Sequence, residues 1–300
     1  MNTMTQPASR PATPAMVAPW PDRDTRPPSA RFPANACDCH AHVFGRRRDY
    51  PLAPGHSYVP AETLVDDYVD MLRRIGCERA VIVQPSVFAT DNSCMVNALQ
   101  SGRFPFRGVA VIDERTTDSE LEDLHRAGVR GVRLNVKSKG TGATLEDAPR
   151  LAQRINARGW HLQIFIDLRV LPGIERELAQ LPVDLVIDHF GHVAAADGMH
   201  APGFQSLLRL SRYEHCWFKL SAPYRLSAQA PAFPDATPFA RLLVDAAPDR
   251  CVWGTDWPHS GILPMPNDGD LANLLFDWIP DAALRNRVLV DNPARIYDFR

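Results

Sequence analysis

From residue 35 onward, short apolar runs of strand character alternate eight times with helical patterns, and few architectures tolerate that alternation. The eight runs are CDCHAHVFG, RAVIVQPS, FRGVAVID, VRGVRLN, WHLQIFID, DLVIDHFG, CWFKLSAPY and CVWGTDWPH. The first helix between them carries Leu64, Tyr68, Met71, Leu72 and Ile75 and is closed by Gly76. Others are expected over 92–100, from Thr117 or Asp118 with Glu120 as capping partner to Gly128, over 145–158, over 171–181 with Pro172 in the first turn, over 204–211 and over 238–246. Strands joined by crossover helices lie parallel, and eight such units in about 250 residues make an α/β chain of (β/α)8, or TIM-barrel, type. An open doubly wound sheet would want a glycine-rich phosphate loop after its first strand, and none is present.

Composition adds boundaries. Residues 1–34 are rich in Pro, Ala, Thr and Arg without apolar periodicity, which reads as a flexible N-terminal tail ahead of a single domain over 35–300. No apolar run of signal-peptide or membrane-spanning length occurs, so a cytoplasmic protein is expected. A net charge of -2 and 23% charged residues give no electrostatic appetite for nucleic acid or an anionic membrane, which leaves a small molecule as the partner. The six cysteines are scattered apart from Cys37 and Cys39, and they read as reduced core thiols rather than zinc ligands.

In a barrel of this kind, chemistry sits at the C-terminal ends of the strands. Polar residues gather there: His40 and His42, Gln84 and Ser86, Asp113, Arg133 and Asn135, Asp167, Asp188 and His189, Lys219 and Ser221, and Asp256. On a strand, His40 and His42 share a face while Ala41 points the other way. An isolated H-x-H pair could equally face solvent by chance, so its weight comes from the other strand ends.

H-x-H on the first strand, D-H-x-G on the sixth and G-T-D-W-P-H on the eighth resemble the amidohydrolase superfamily. SYVP, QPSVFATDN, GVRLN and APYRLS are similar to its branch of 2-pyrone-4,6-dicarboxylate and sugar-acid lactonases. Opening a lactone needs an activated water, a group that polarises the carbonyl and a proton for the departing oxygen. Asp256 is the candidate base, and the resemblance implies that His189 stabilises the carbonyl oxygen. His40 and His42 complete the catalytic set. In metal-dependent relatives an H-x-H pair binds a divalent ion, so a mononuclear site such as zinc on His40, His42, Asp256 and His189 is the alternative. Strand four offers Arg133 and Asn135, with no bridging lysine or glutamate, and His161 begins strand five on the wrong rim; the resemblance therefore favours a lactonase that requires no metal.

Arginine binds carboxylates through a planar fork, so Arg133 and Arg225 point to an anionic lactone or carboxylic acid. Tyr58, Ser86, Thr90 and Tyr224 are candidate partners for its oxygens, whereas Arg46, Arg47 and Arg48 read as a solvated run. Lys139 stands where the dicarboxylate lactonase pattern has a second arginine. The leading reading is a hydrolase of carboxylated lactones, in aromatic or sugar-acid catabolism. Its competitors are a metal-dependent decarboxylase of the same superfamily and a non-catalytic barrel that binds small acids.

Overall fold

Local sequence signals set the element boundaries. Thr117 and Glu120 form a reciprocal capping box at the start of one helix, and Gly76 and Gly128 close two helices in the left-handed conformation that a side chain would resist. A computed structural model describes residues 16–137, 144–169 and 173–299.

The strands are β1 Cys37–Ala41, β2 Arg79–Val83, β3 Phe106–Ala110, β4 Val129–Asn135, β5 His161–Phe165, β6 Leu185–Ile187, β7 Cys216–Ser221 and β8 Cys251–Gly254. Each pairs in parallel with its chain neighbour. The ring closes between the last strand and the first, where Asp256 N–H donates to His40 O and His42 N–H to Trp257 O, both at 2.8 Å. The crossover helices are α1 Val65–Ile75, α2 Ser93–Gln100, α3 Asp118–Ala127, α4 Ala148–Asn156, α5 Glu175–Leu178, α6 Pro202–Leu210 and α7 Thr237–Ala246, with α8 Asp268–Trp278 following β8. The helix expected over 171–181 is corrected to the single turn of α5 within its described part, while Pro172 lies outside the described residues. Among the described residues no helix is long and apolar enough to cross a membrane.

The seam explains the G-T-D motif. Asp38 Oδ1 accepts from Thr255 N–H at 2.9 Å and from His40 N–H at 3.1 Å, and Asp38 Oδ2 accepts from Thr255 Oγ1 at 2.6 Å and Tyr68 Oη at 3.0 Å. Burial pushes this carboxyl up to about 6, and those four donors oppose the rise. Gly254 has no side chain because a Cβ there would lie 2.7 Å from the His40 nitrogen.

Strict alternation would put Cys37, Cys39 and Ala41 on one face and His40 and His42 on the other. Instead the pairing of β1 with β2 slips by one residue between Asp38 and Ala41. Below this bulge Cys37 and Cys39 pack inside the barrel with Val81, Val109, Trp217 and Tyr297, and above it His40 also points inward. All six cysteines are buried and unbridged.

The flexible tail expected over 1–34 needs correction from Met16 onward; the residues before it lie outside the described ones. Met16–Val17 pairs in parallel with Tyr58–Val59. Arg26 pairs with Asp270, Ser29 N–H donates to Asn273 at 2.7 Å, and Asn267 binds both the Arg26 amide and Asp22. Phe32 stacks edge-on against Trp253 at 5.4 Å. A segment without periodicity is thus held by side chains of α8 that take up its backbone polar groups.

Candidate active site

Three histidines converge on one carboxylate oxygen. Asp256 Oδ1 lies 3.6 Å from His40 Nε2, 3.6 Å from His42 Nε2 and 3.8 Å from His189 Nε2. Its other oxygen is pinned from the opposite side, accepting from Tyr224 Oη at 2.8 Å and from Arg225 Nη2 at 3.0 Å. The carboxylate therefore offers one face to the cavity. Burial opposes its ionisation, but Arg225 and the histidines hold Asp256 well below the usual carboxylate range. Asp256 and His189 sit at φ of 66° and 47°, conformations uncommon outside glycine that cluster where a fold over-determines a functional side chain.

Each imidazole is oriented from behind. His42 Nδ1 lies 2.7 Å from Val83 O, which can only accept, so Nδ1 carries a proton and Nε2 presents a lone pair in the neutral ring. His189 Nδ1 meets Ser221 Oγ at 2.8 Å. His40 Nδ1 meets Lys219 Nζ at 3.1 Å, and burial, reinforced by that ammonium, drives the His40 pKa down to about 3. Below the histidines, Asp188 accepts a hydrogen bond from Gln163 Nε2 at 2.9 Å and ion-pairs with Lys219 at 3.2 Å and Arg133 Nε at 3.5 Å. Burial raises and Lys219 lowers the Asp188 pKa, and the outcome is well below normal.

The rim is cationic. Arg133 and Arg225 lie over the same Phe165 ring, 4.9 and 5.9 Å from its centroid, so the two arginines do meet at one place. The Arg133 Nε makes no hydrogen bond. Lys137 and Arg169 both bind Asp167 nearby, and Lys137 Nζ lies 2.8 Å from His192 Nδ1. Tyr58 belongs to the same neighbourhood: burial, offset by Arg133 and a hydrogen bond to Ser260, pushes its phenol up to about 12. Ser86 is half-buried on the loop after β2, Thr90 is exposed, and Lys139 lies outside the described residues.

Sequence reasoning left several of these groups without a role. Lys219 and Asp188 were visible only as polar strand ends, and Gln163, Lys137 and His192 carried no signal at all. His259 sat in plain view within W-P-H; it bridges Tyr224 Oη at 3.0 Å and Asp268 at 3.0 Å, behind the base.

A family model described as amidohydrolase matches residues 37–299. The chain belongs to the amidohydrolase family. This amidohydrolase is 37% identical over 291 residues to a 2-pyrone-4,6-dicarboxylate hydrolase of Comamonas testosteroni, spanning 93% of the chain and 95% of the relative. It is 36% identical over 271 residues to a 4-sulfomuconolactone hydrolase of Hydrogenophaga intermedia, spanning 89% of each. A crystal structure of a probable 2-pyrone-4,6-dicarboxylic acid hydrolase of Acinetobacter baumannii with citric acid bound superposes with a TM-score of 0.77 at 28% identity, covering 88% of the amidohydrolase and all of that chain.

The histidines and Asp256 also form a candidate set of metal ligands. His40, His42 and Asp256 offer atoms close enough to share an ion, and their separations are near the roughly 3.4 Å edges of a tetrahedral zinc site. A ligating histidine donates its remote N–H to an acceptor; the remote nitrogen of His40 lies between the Lys219 ammonium at 3.1 Å and Asp188 Oδ1 at 3.3 Å, and Arg225 is paired with Asp256. The side chains of His40, His42 and Asp256 are placed to hold one divalent ion.

Proposed function

We propose that this amidohydrolase opens carboxylated lactones with water activated by Asp256 and without a metal ion. The observation that carries the reading is the one-sided carboxylate, with Oδ2 fixed by Tyr224 and Arg225 and Oδ1 facing three imidazoles. Water held between Asp256 and the His42 lone pair attacks the lactone carbonyl carbon and gives its proton to Asp256 Oδ1. His189 and His40 stabilise the carbonyl oxygen as it becomes an oxyanion. Collapse of the tetrahedral species breaks the ring C–O bond, and Asp256 returns the proton to the departing oxygen, so protons balance over the cycle.

Arg133 and Arg225 select an anionic substrate, with Tyr58 beside them; Tyr224 acts through the base rather than on the substrate. The two relatives named for lactone hydrolysis support this reading over a decarboxylase or a binding protein. The decisive experiment is a hydrolysis panel of pyrone dicarboxylate, muconolactone and sugar-acid lactones, each alongside its methyl ester, with and without chelator. Chelator-resistant opening of free acids, with esters at least tenfold poorer, is expected. Failure to open any carboxylated lactone, or turnover that chelation abolishes, would overturn it.

A further inference from the structure

Lys219 has no part in the scheme above, yet it lies fully buried beneath the histidines. Its ammonium hydrogen-bonds Gln163 Oε1 at 2.8 Å and His40 Nδ1 at 3.1 Å and ion-pairs with Asp188 Oδ1 at 3.2 Å. Directions in this cluster follow from its chemistry. Asp188 only accepts, so Gln163 turns its amide nitrogen to Asp188 at 2.9 Å and its oxygen to Lys219. An ammonium only donates, so the bond between Lys219 and His40 runs from Nζ to Nδ1, which holds a lone pair. In the neutral ring the proton then sits on His40 Nε2, a buried atom that makes no hydrogen bond and lies 3.6 Å from Asp256 Oδ1. His42 is the reverse, because Val83 O takes its Nδ1 proton.

We infer that Lys219 is a positioning residue that locks His40 in the Nε2–H tautomer, so that the H-x-H pair works as one hydrogen-bond donor and one acceptor. On the proposed mechanism, the donor faces the developing oxyanion and the acceptor holds the attacking water. The same lock makes His40 a poor metal ligand, since ligation needs a lone pair on Nε2. Without Lys219, His40 Nδ1 can instead donate to Asp188 Oδ1, 3.3 Å away, and turn a lone pair into the cavity.

The test uses the full chain labelled with 15N-histidine, read by long-range proton–nitrogen correlation, with His40 assigned from its disappearance in His40→Gln. The expected spectrum has His40 protonated on Nε2 and His42 on Nδ1; a His40 proton on Nδ1 would overturn the inference. In Lys219→Met, kcat should fall on the order of 100-fold, as for loss of one oxyanion donor, with KM within about threefold. The same variant should bind cobalt(II) at least tenfold more tightly than the wild type, seen by its visible spectrum. Stoichiometric, tight cobalt binding by the wild type that His40→Gln abolishes would contradict the lock. If Lys219→Met does not fold, the wild-type spectrum and cobalt titration still decide. Neither uses a substrate, so their outcome is separable from failure of the lactone reading.

Discussion

Gly254→Ala perturbs the site without removing a polar group, which makes it a probe of the seam. The added methyl would sit 2.7 Å from the His40 nitrogen and 2.8 Å from its Cβ, where ordinary contact begins at 3.4 Å, so β1 and β8 must separate by about 0.7 Å. Three short hydrogen bonds cross there: Asp256 N–H to His40 O, His42 N–H to Trp257 O and Thr255 N–H to Asp38. Stretching them towards 3.5 Å removes most of their strength, and overpacking of a tight core adds about 1–3 kcal/mol. A total of about 2–4 kcal/mol, against an unfolding entropy of roughly 0.6 kcal/mol/K in a domain of this size, corresponds to a fall in Tm of roughly 3–7 °C. The same movement carries His40 and Asp256 apart, and displacements approaching ~1 Å cost up to about 100-fold in rate, so kcat should drop at least tenfold below the transition. Calorimetry and steady-state hydrolysis measure the two effects on one preparation. A variant with unchanged Tm and kcat would refute the close approach, and a destabilised variant with wild-type kcat would refute the coupling of seam to site.

Three further outcomes are expected. Arg225→Ala removes the largest group opposing the burial of Asp256, so its pKa rises; because the base must be ionised, the acid limb of kcat/KM moves to higher pH, and a pH profile with an unmoved limb would deny that coupling. Phe32→Ala should destabilise the fold by about 3 kcal/mol, read as a lowered urea midpoint, because the ring packs on Trp253 and Phe276. Deleting residues 1–18 should raise KM more than it lowers kcat, since Met16–Val17 braces the strand that carries Tyr58; unchanged kinetics would show the pairing to be idle.

The barrel was legible because each βα unit announces itself locally. Gly76, Gly128 and the Thr117–Glu120 box need nothing beyond their own neighbours, and apolar runs separated by such signals leave little freedom. Asp256, His189, His40, His42, Arg133 and Arg225 were named from strand ends, and the fold brings them together. What stayed hidden depends on distant partners. The bulge in β1 reverses the inward face in mid-strand, which no two-residue period can reveal. The strap over 16–34 has the composition of a tail, but it is held by α8 residues more than 200 positions away. Lys219 looked like an ordinary strand residue because its partners, His40, Gln163 and Asp188, lie on three other strands or their ends.

Asp256 as the base that opens the lactone is tested by single-turnover hydrolysis of a carboxylated lactone by Asp256→Asn, with substrate affinity determined separately. Asparagine keeps the shape and can still meet Tyr224, but it cannot take a proton from water. The expected result is a rate reduced on the order of 100-fold or more with affinity within about tenfold of wild type. Turnover near the wild-type rate, with the lactone still bound, would contradict the account at its root.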